Sequence, residues 1–264
     1  MPDMQGRPRY QRFSSTDHPI SGDTKLWRYL TFEKFVWLLE KSRLYHTRLD
    51  LLGDPFEGSV TKAYVRKRDA GQLPRHLQPS FPEHEAILHK IGMYSRFVTC
   101  WYASPHESAA MWKLYSTEHA GVAIVSTPLR MEEAVDLTPY HTAILGPVEY
   151  LDFEMQDGSL PFGKKARPGF LKRKSFEHEK EVRGMIYVEE QLPNLILSPE
   201  YVQDLRESMP LGIDVKVKLK QLIQEIYISP LSASYFSDVV AILSDRHGVA
   251  DLLRRSTLLG EPVY

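Results

Sequence analysis

The chain is 264 residues long, 42% hydrophobic and 25% charged, with a formal net charge of −1. This is the composition of a folded globular protein able to bury a full core, and it excludes both a disordered chain and a global basic field that would draw nucleic acid. The single cysteine, Cys100, excludes an internal disulfide and a cysteine-built zinc cluster, and no apolar run reaches the roughly 18 residues that a membrane span needs.

Residues 1–24 are polar and punctuated by Pro2, Gly6, Pro8, Pro19 and Gly22, and read as a flexible lead-in. They hold no apolar core, so no secretory leader is expected and the reading places the protein in the cytoplasm. One domain is expected over 25–264. KLWRYL reads as a strand interrupted by Arg28, and Thr31 is placed to cap the helix that follows, with Glu33 in its first turn. Phe32, Phe35, Val36 and Leu39 recur at helical spacing, and the helix is expected to end near Ser42. Leu44–Asp50 reads as the next strand and runs into the turn GDPFEGS (Gly53–Ser59). In that turn Asp54 suits an Asx-type bond and Phe56 a core plug, which leaves Glu57 without a structural task.

From Thr61 to about Arg96 the pattern weakens into a polar helical excursion. RFVTCWYAS reads as a strand, ESAAMWKLYS as a helix and GVAIVST as a strand ending in Ser126 and Thr127. LRMEEAV suggests a helix and Ala143–Leu151 a strand. A Gly- and Pro-rich loop over 152–170 precedes a strand at Val182–Val188, and 190–210 read as irregular. IDVKVKLK alternates as a half-exposed edge strand. EIYISP reads as a strand, followed by a helix with Phe236, Val239, Val240 and Leu243 and a stop at Gly248, and Val249–Leu259 as a closing strand. The class predicted is α+β, one domain with a mixed, mostly antiparallel sheet and peripheral helices.

Taken in order, LWRYLTFEKFVWLL, LYHTRLDLLGDPFEGS, ESAAMWKLYS followed by HAGVAI, KRKSFEHEKEVR and IYISP resemble the bacterial domain-of-unknown-function family DUF 2971, over most of the chain from Leu26 onward. In that family Asn-Asp-Pro-Phe-Glu is common at the turn; here Gly53 precedes Asp54. The resemblance implies a cytosolic bacterial protein associated with phage resistance or mobile elements, and brings no established reaction.

Six residues carry candidate chemistry of their own, and a seventh completes the set. Arg28 in a bulky strand needs a partner, either a salt bridge or the phosphate or carboxylate of a ligand. His46 and Arg48 share one strand face by alternation, which would point both into one polar cleft. Glu179, Glu181 and Arg183 project together if the strand has already begun; two carboxylates so close suit ribose hydroxyls or an oxocarbenium-like centre, or else an inter-strand ion network. Glu57 completes the set. No metal-ligand spacing is present. Lys164–Lys174 holds six Lys or Arg residues, a local patch for a nucleotide or nucleic-acid phosphate.

An early arginine, a strand ending in Ser126–Thr127 and a late Glu-x-Glu are similar to the Arg…Ser…Glu-x-Glu pattern of ADP-ribosyltransferases, and Tyr45–His46 with Glu181 echoes a His…Tyr…Glu variant. That resemblance implies NAD as cofactor, with Arg28 at its phosphates and Glu181 and His46 catalytic; the reading of the residues themselves adds Arg48, Glu57, Glu179 and Arg183, with Arg28, as substrate-binding groups of one cleft. Rossmann and P-loop glycine motifs are missing. The reading from another class is a non-catalytic interaction module whose polar residues only tie strands together.

Overall fold

The computed structural model describes residues 8–12, 20–72, 84–116, 119–140, 142–154, 168–188 and 198–258. A short strand β1 (Gln11–Arg12) precedes the strand–helix–strand unit β2 (Leu26–Thr31), α1 (Phe32–Lys41) and β3 (Arg43–Arg48). After the GDPFEGS turn come α2 (Lys62–Asp69), α3 (Glu85–Tyr94), β4 (Arg96–Ala103), α4 (Ala109–Tyr115), β5 (Gly121–Ser126) and α5 (Pro128–Ala134). The strands β6 (Thr142–Pro147), β7 (Glu149–Leu151), β8 (Leu171–Arg173) and β9 (Glu181–Tyr187) follow. The chain then forms α6 (Pro199–Ser208), β10 (Gly212–Lys216), α7 (Leu219–Leu222), β11 (Glu225–Ile228), α8 (Ser234–Arg246) and β12 (Leu253–Arg254).

These elements form an α+β domain around a mixed, mostly antiparallel sheet of order β1-β6-β9-β4-β2-β5-β11-β12. β3 joins through β4 and carries β10 on its outer side, so the alternating IDVK run is an edge strand; it stops at Lys216, and Leu219 belongs to α7. The parallel pairs are β1–β6, β11–β12 and the separate ribbon β7–β8.

One edge of β4 pairs continuously with β9, from Arg96↔Tyr187 to Tyr102↔Glu181. Its other edge forks. β3 pairs at Thr47↔Val98 and Arg48↔Phe97, and β2 at Leu26↔Ala103 and Trp27↔Tyr102. Arg28 bridges the fork with its side chain, donating to Thr99 Oγ1 and, at 3.3 Å, to the Tyr45 carbonyl.

Alternation along the strands gives the sheet two dissimilar faces. Leu26, Leu30, Ile124, Trp101, Val182 and Ile186 line the main core with Phe35, Leu38 and Leu39 of α1, Met131 of α5 and Phe236, Val240 and Leu243 of α8. The opposite face holds two smaller groups. Trp27, Tyr29, Ala123 and Val125 pack against Met111 and Trp112 of α4, and Leu49, Val98, Ile144, Phe170 and Met185 form the other.

Several expectations require correction. The lead-in is tied down in part: Tyr10 is buried and β1 pairs with β6, because the Tyr10 ring fills the space above Gly184. Thr31 stands at the N-cap, yet its hydroxyl donates to Glu33 Oε1 at 2.6 Å and caps no amide. The 143–151 segment is two strands in different sheets. Part of the irregular 190–210 stretch is α6, started by Ser198, whose side chain accepts from the Tyr201 amide, with Pro199 in the first turn. Of the closing strand only Leu253–Arg254 pairs, after a 3₁₀ turn at Ala250–Leu252.

Candidate functional site

The seven residues singled out from sequence do not share one cleft. Trp27, Tyr102 and Glu181 are register partners across three strands, so Glu181 lies on the α4 face of the sheet and Arg28, one residue along, on the main-core face. His46 and Arg48 do share a strand face, as alternation requires, but that is also the core side. Arg28, His46 and Arg48 are therefore separated by the sheet from Glu57, Glu179, Glu181 and Arg183.

On the core side each group has a structural task. His46 is fully buried, and its Nδ1 lies 3.0 Å from the Leu44 carbonyl, which can only accept. The proton therefore sits on Nδ1, and Nε2 accepts from the Tyr10 hydroxyl at 2.8 Å. Burial, with the nearby Arg28 charge, pushes the imidazole down to about 3 against the backbone bond that favours its charge, so His46 is neutral, with both ring nitrogens committed to partners inside the protein. Arg48 pairs with Asp50 at 2.7 Å and donates to the carbonyls of Arg206 and Met209, orphan acceptors at the end of α6. Its guanidinium lies over the Tyr94 ring. Arg28 stacks on Trp101 and meets no carboxylate among the described residues, and burial lowers its pKa. Ser126 donates to the Leu222 carbonyl and Thr127 caps α5, which accounts for both without a nicotinamide.

The α4 face holds the convergent group. Glu57 from the GDPFEGS turn, Lys172 from β8, Glu179 from a 3₁₀ turn at Lys174–Glu179, and Glu181 and Arg183 from β9 are each less than a tenth exposed. Arg183 donates through Nη1 and Nη2 to both oxygens of Glu57, at 2.8 and 2.7 Å. Its Nε and Nη2 reach the two oxygens of Glu181 at 2.7 and 3.1 Å, and Nη1 also reaches the Gly169 carbonyl at 2.6 Å. All five guanidinium N–H groups are thereby used. Lys172 donates to Glu179 and, at 3.1 Å, to Glu181, and stands 3.7 Å from Glu57. Three carboxylates against two cations leave one formal negative charge in the group.

Electrostatics follow from that arrangement. Burial alone would raise the Glu181 carboxyl, but Arg183 and Lys172 outweigh it and hold it at about 2. Burial opposes the charge of Arg183 and of Lys172, and the neighbouring carboxylates override it and raise both. Burial raises the Cys100 thiol, with the Glu181 charge adding to it, so Cys100 is a protonated thiol and no nucleophile. Tyr115, from the end of α4, donates its hydroxyl to Glu179 Oε1 at 2.6 Å and is 45% exposed. Among the described residues that hydrogen-bond to these carboxylates, Tyr115 is the most exposed, and the half-buried Cys100 lies beside the group.

Glu179 is not in the strand. The chain turns through left-handed Lys180 (φ 39°) before β9 begins, and that turn swings Glu179 back onto Lys172. Asp54 accepts from the Phe56 amide at 3.1 Å and pairs with Arg173 at 2.8 Å, while Phe56 packs on Phe153, so the turn's first half is structural as expected. The basic patch is reduced: Lys172 is a buried counter-ion and Arg173 is paired, while Lys164, Lys165 and Arg167 lie outside the described residues. Lys172, Tyr115 and Cys100 were missed from sequence as members of one site. The signal available for Lys172 was its distance of seven residues from Glu179 across a segment without helical or strand periodicity.

Comparison with known proteins adds nothing to this geometry. No family model, curated protein or solved structure matches the chain. No helix among the described residues is long and apolar enough to cross a membrane, and no group of metal-ligating side chains is found among them.

Proposed function

We propose that the chain is a bacterial effector of the phage-defence or toxin type that binds a nucleotide at the Glu179–Tyr115 end of the buried ion group and acts on its ribosyl centre, with NAD as the candidate. The observation that carries this reading is the convergence of Glu57, Tyr115, Lys172, Glu179, Glu181 and Arg183 from three distant segments, leaving a surplus negative charge beside the exposed Tyr115. Those segments also carry the resemblance to the DUF 2971 family. Breaking the nicotinamide–ribose bond sends the bonding pair to nicotinamide and leaves an oxocarbenium-like carbon, which a fixed carboxylate stabilises until a nucleophile attacks and loses its proton.

Within that reading Glu179 takes the role first given to Glu181. Glu181 has both oxygens committed to Arg183 and Lys172, whereas among the described residues Glu179 Oε1 is held by the neutral Tyr115 hydroxyl alone. Glu181 and Arg183 are then positioning residues. Lys174 and Lys180, exposed at the two ends of the 3₁₀ turn, are the cations available to the ligand's phosphates.

The test is thermal denaturation with NAD, nicotinamide riboside and nucleotides, together with NAD consumption and growth arrest on expression. Ligand stabilisation that Glu179→Gln and Tyr115→Phe abolish, in variants that still fold, supports the reading. No response from wild type across the panel overturns it. A second reading has an observation of its own. The complete use of the five Arg183 N–H groups within the protein favours a structural ion network inside an interaction module.

A further inference from the structure

Helix α8 is apolar on two sides. Phe236, Val240 and Leu243 face the main core, where Phe236 meets Phe32 edge-on at 5.2 Å. On the outer side Tyr235, Val239 and Ile242 form a stripe that is 72%, 43% and 64% exposed, and Arg246 continues it at 68%. Single exposed apolar residues are ordinary, but three in one helical row, with exposed Leu231 just before them, are the pattern of a helix with a missing neighbour.

We propose that α8 is the homodimer contact of this protein, pairing antiparallel with α8 of a second copy. The argument for a second copy is the spacing. The row 235, 239, 242, 246 advances by steps of 4, 3 and 4 residues, which reads the same in both directions. Across a twofold axis Val239 therefore meets Ile242 of the second copy, and Tyr235 meets its Arg246, a cation over an aromatic face. Charge fits the same register. Among the described residues Arg246 has a 3.7 Å contact with Glu40, and in the pair it lies between its own Asp245 and Asp238 of the second copy. The 13 residues of α8 span about 20 Å. One helix pair of that length covers less than the ~800 Å² per partner of a standard interface, so the dimer is a weak one that forms as concentration rises.

The test is sedimentation of the full chain over a concentration series. Wild type is expected to pass from monomer to dimer. Ile242→Glu is expected to remain monomeric with an unchanged melting temperature, since the residue is exposed and touches no core. Asp238→Arg and Arg246→Asp are each expected to weaken the dimer at least tenfold, and the two together to restore it. A wild type that stays monomeric, a dimer indifferent to Ile242→Glu, or a failure of the charge exchange to rescue overturns the proposal.

Discussion

Replacing Arg183 by Met tests the electrostatic account of the ion group most directly. Arg183 is fully buried and holds both oxygens of Glu57 and both of Glu181, so the substitution keeps most of the side-chain volume and leaves three carboxylates, Glu57, Glu179 and Glu181, facing Lys172 alone. Removing one partner of a buried pair costs about 3–5 kcal/mol, a large share of the 5–15 kcal/mol that typically separates folded from unfolded protein. The pH dependence adds a sign. In wild type the Glu181 carboxyl sits at about 2 against an ordinary 4.5, so its stabilisation is fully present above pH 4.5 and is lost as pH falls towards 2. At about 1.4 kcal/mol per pH unit that loss is about 3 kcal/mol. In Arg183→Met the carboxylates have lost the charge that held them ionised, and protonation relieves their repulsion. The gap between variant and wild type is therefore largest near pH 7 and narrows by pH 3–4. Urea unfolding at a series of pH values measures it. A variant within about 1 kcal/mol of wild type at pH 7, or a gap that does not change with pH, refutes the reasoning.

Three further outcomes follow from single contacts. Tyr10→Phe removes the donor to His46 Nε2 and leaves a fully buried acceptor unmet, at a cost of about 1–3 kcal/mol in chemical denaturation. The His46 ring resonances are expected to show no titration between pH 8 and 5. The unfolded chain takes up that proton below about 6.5 and the folded one only near 3, so the His46 contribution is present above 6.5 and lost as pH falls between those values. Gly58→Ala, at φ 69°, drives a Cβ into Met93 Sδ, and is expected to lower the melting temperature and disturb the turn that delivers Glu57.

Much of the fold was legible because it depends on local periodicity. The helical row of Phe32, Phe35 and Leu39, the alternation of Ile213 and Val215, and the apolar run of β5 each identify an element without knowledge of its neighbours. The site depends instead on register between distant strands. Arg28 and Glu181 lie on opposite faces only because Trp27 aligns with Tyr102 and Tyr102 with Glu181; a slip of one residue would have put them together. Lys172 was misread for another reason. Lysines in a basic run are ordinarily solvated, and its burial follows from a 3₁₀ turn and a left-handed Lys180 that no periodic pattern announces. The missed α6 had its signal in Ser198-Pro199-Glu200 and was obscured by the irregular composition before it.

The same physics bears on why the ion group is there at all. Apolar residues of similar volume commonly hold a sheet face at least as well as buried charges, so five charged side chains within one face are costly unless their arrangement serves something besides stability. His46, Arg48 and Arg28 show how this protein handles polar residues on the core side of its sheet. One is neutral, one is paired with a single carboxylate and two helix-end carbonyls, and one fills a fork in the sheet. None of the three leaves a carboxylate without its cation. The group on the α4 face differs in that respect, with three carboxylates to two cations and the least committed oxygen, Glu179 Oε1, under an exposed tyrosine. If the network were only structural, Glu179→Gln combined with Tyr115→Phe would leave every property except stability unchanged. If it is a site, the pair removes ligand response while Arg183, Glu57 and Glu181 still hold the sheet together.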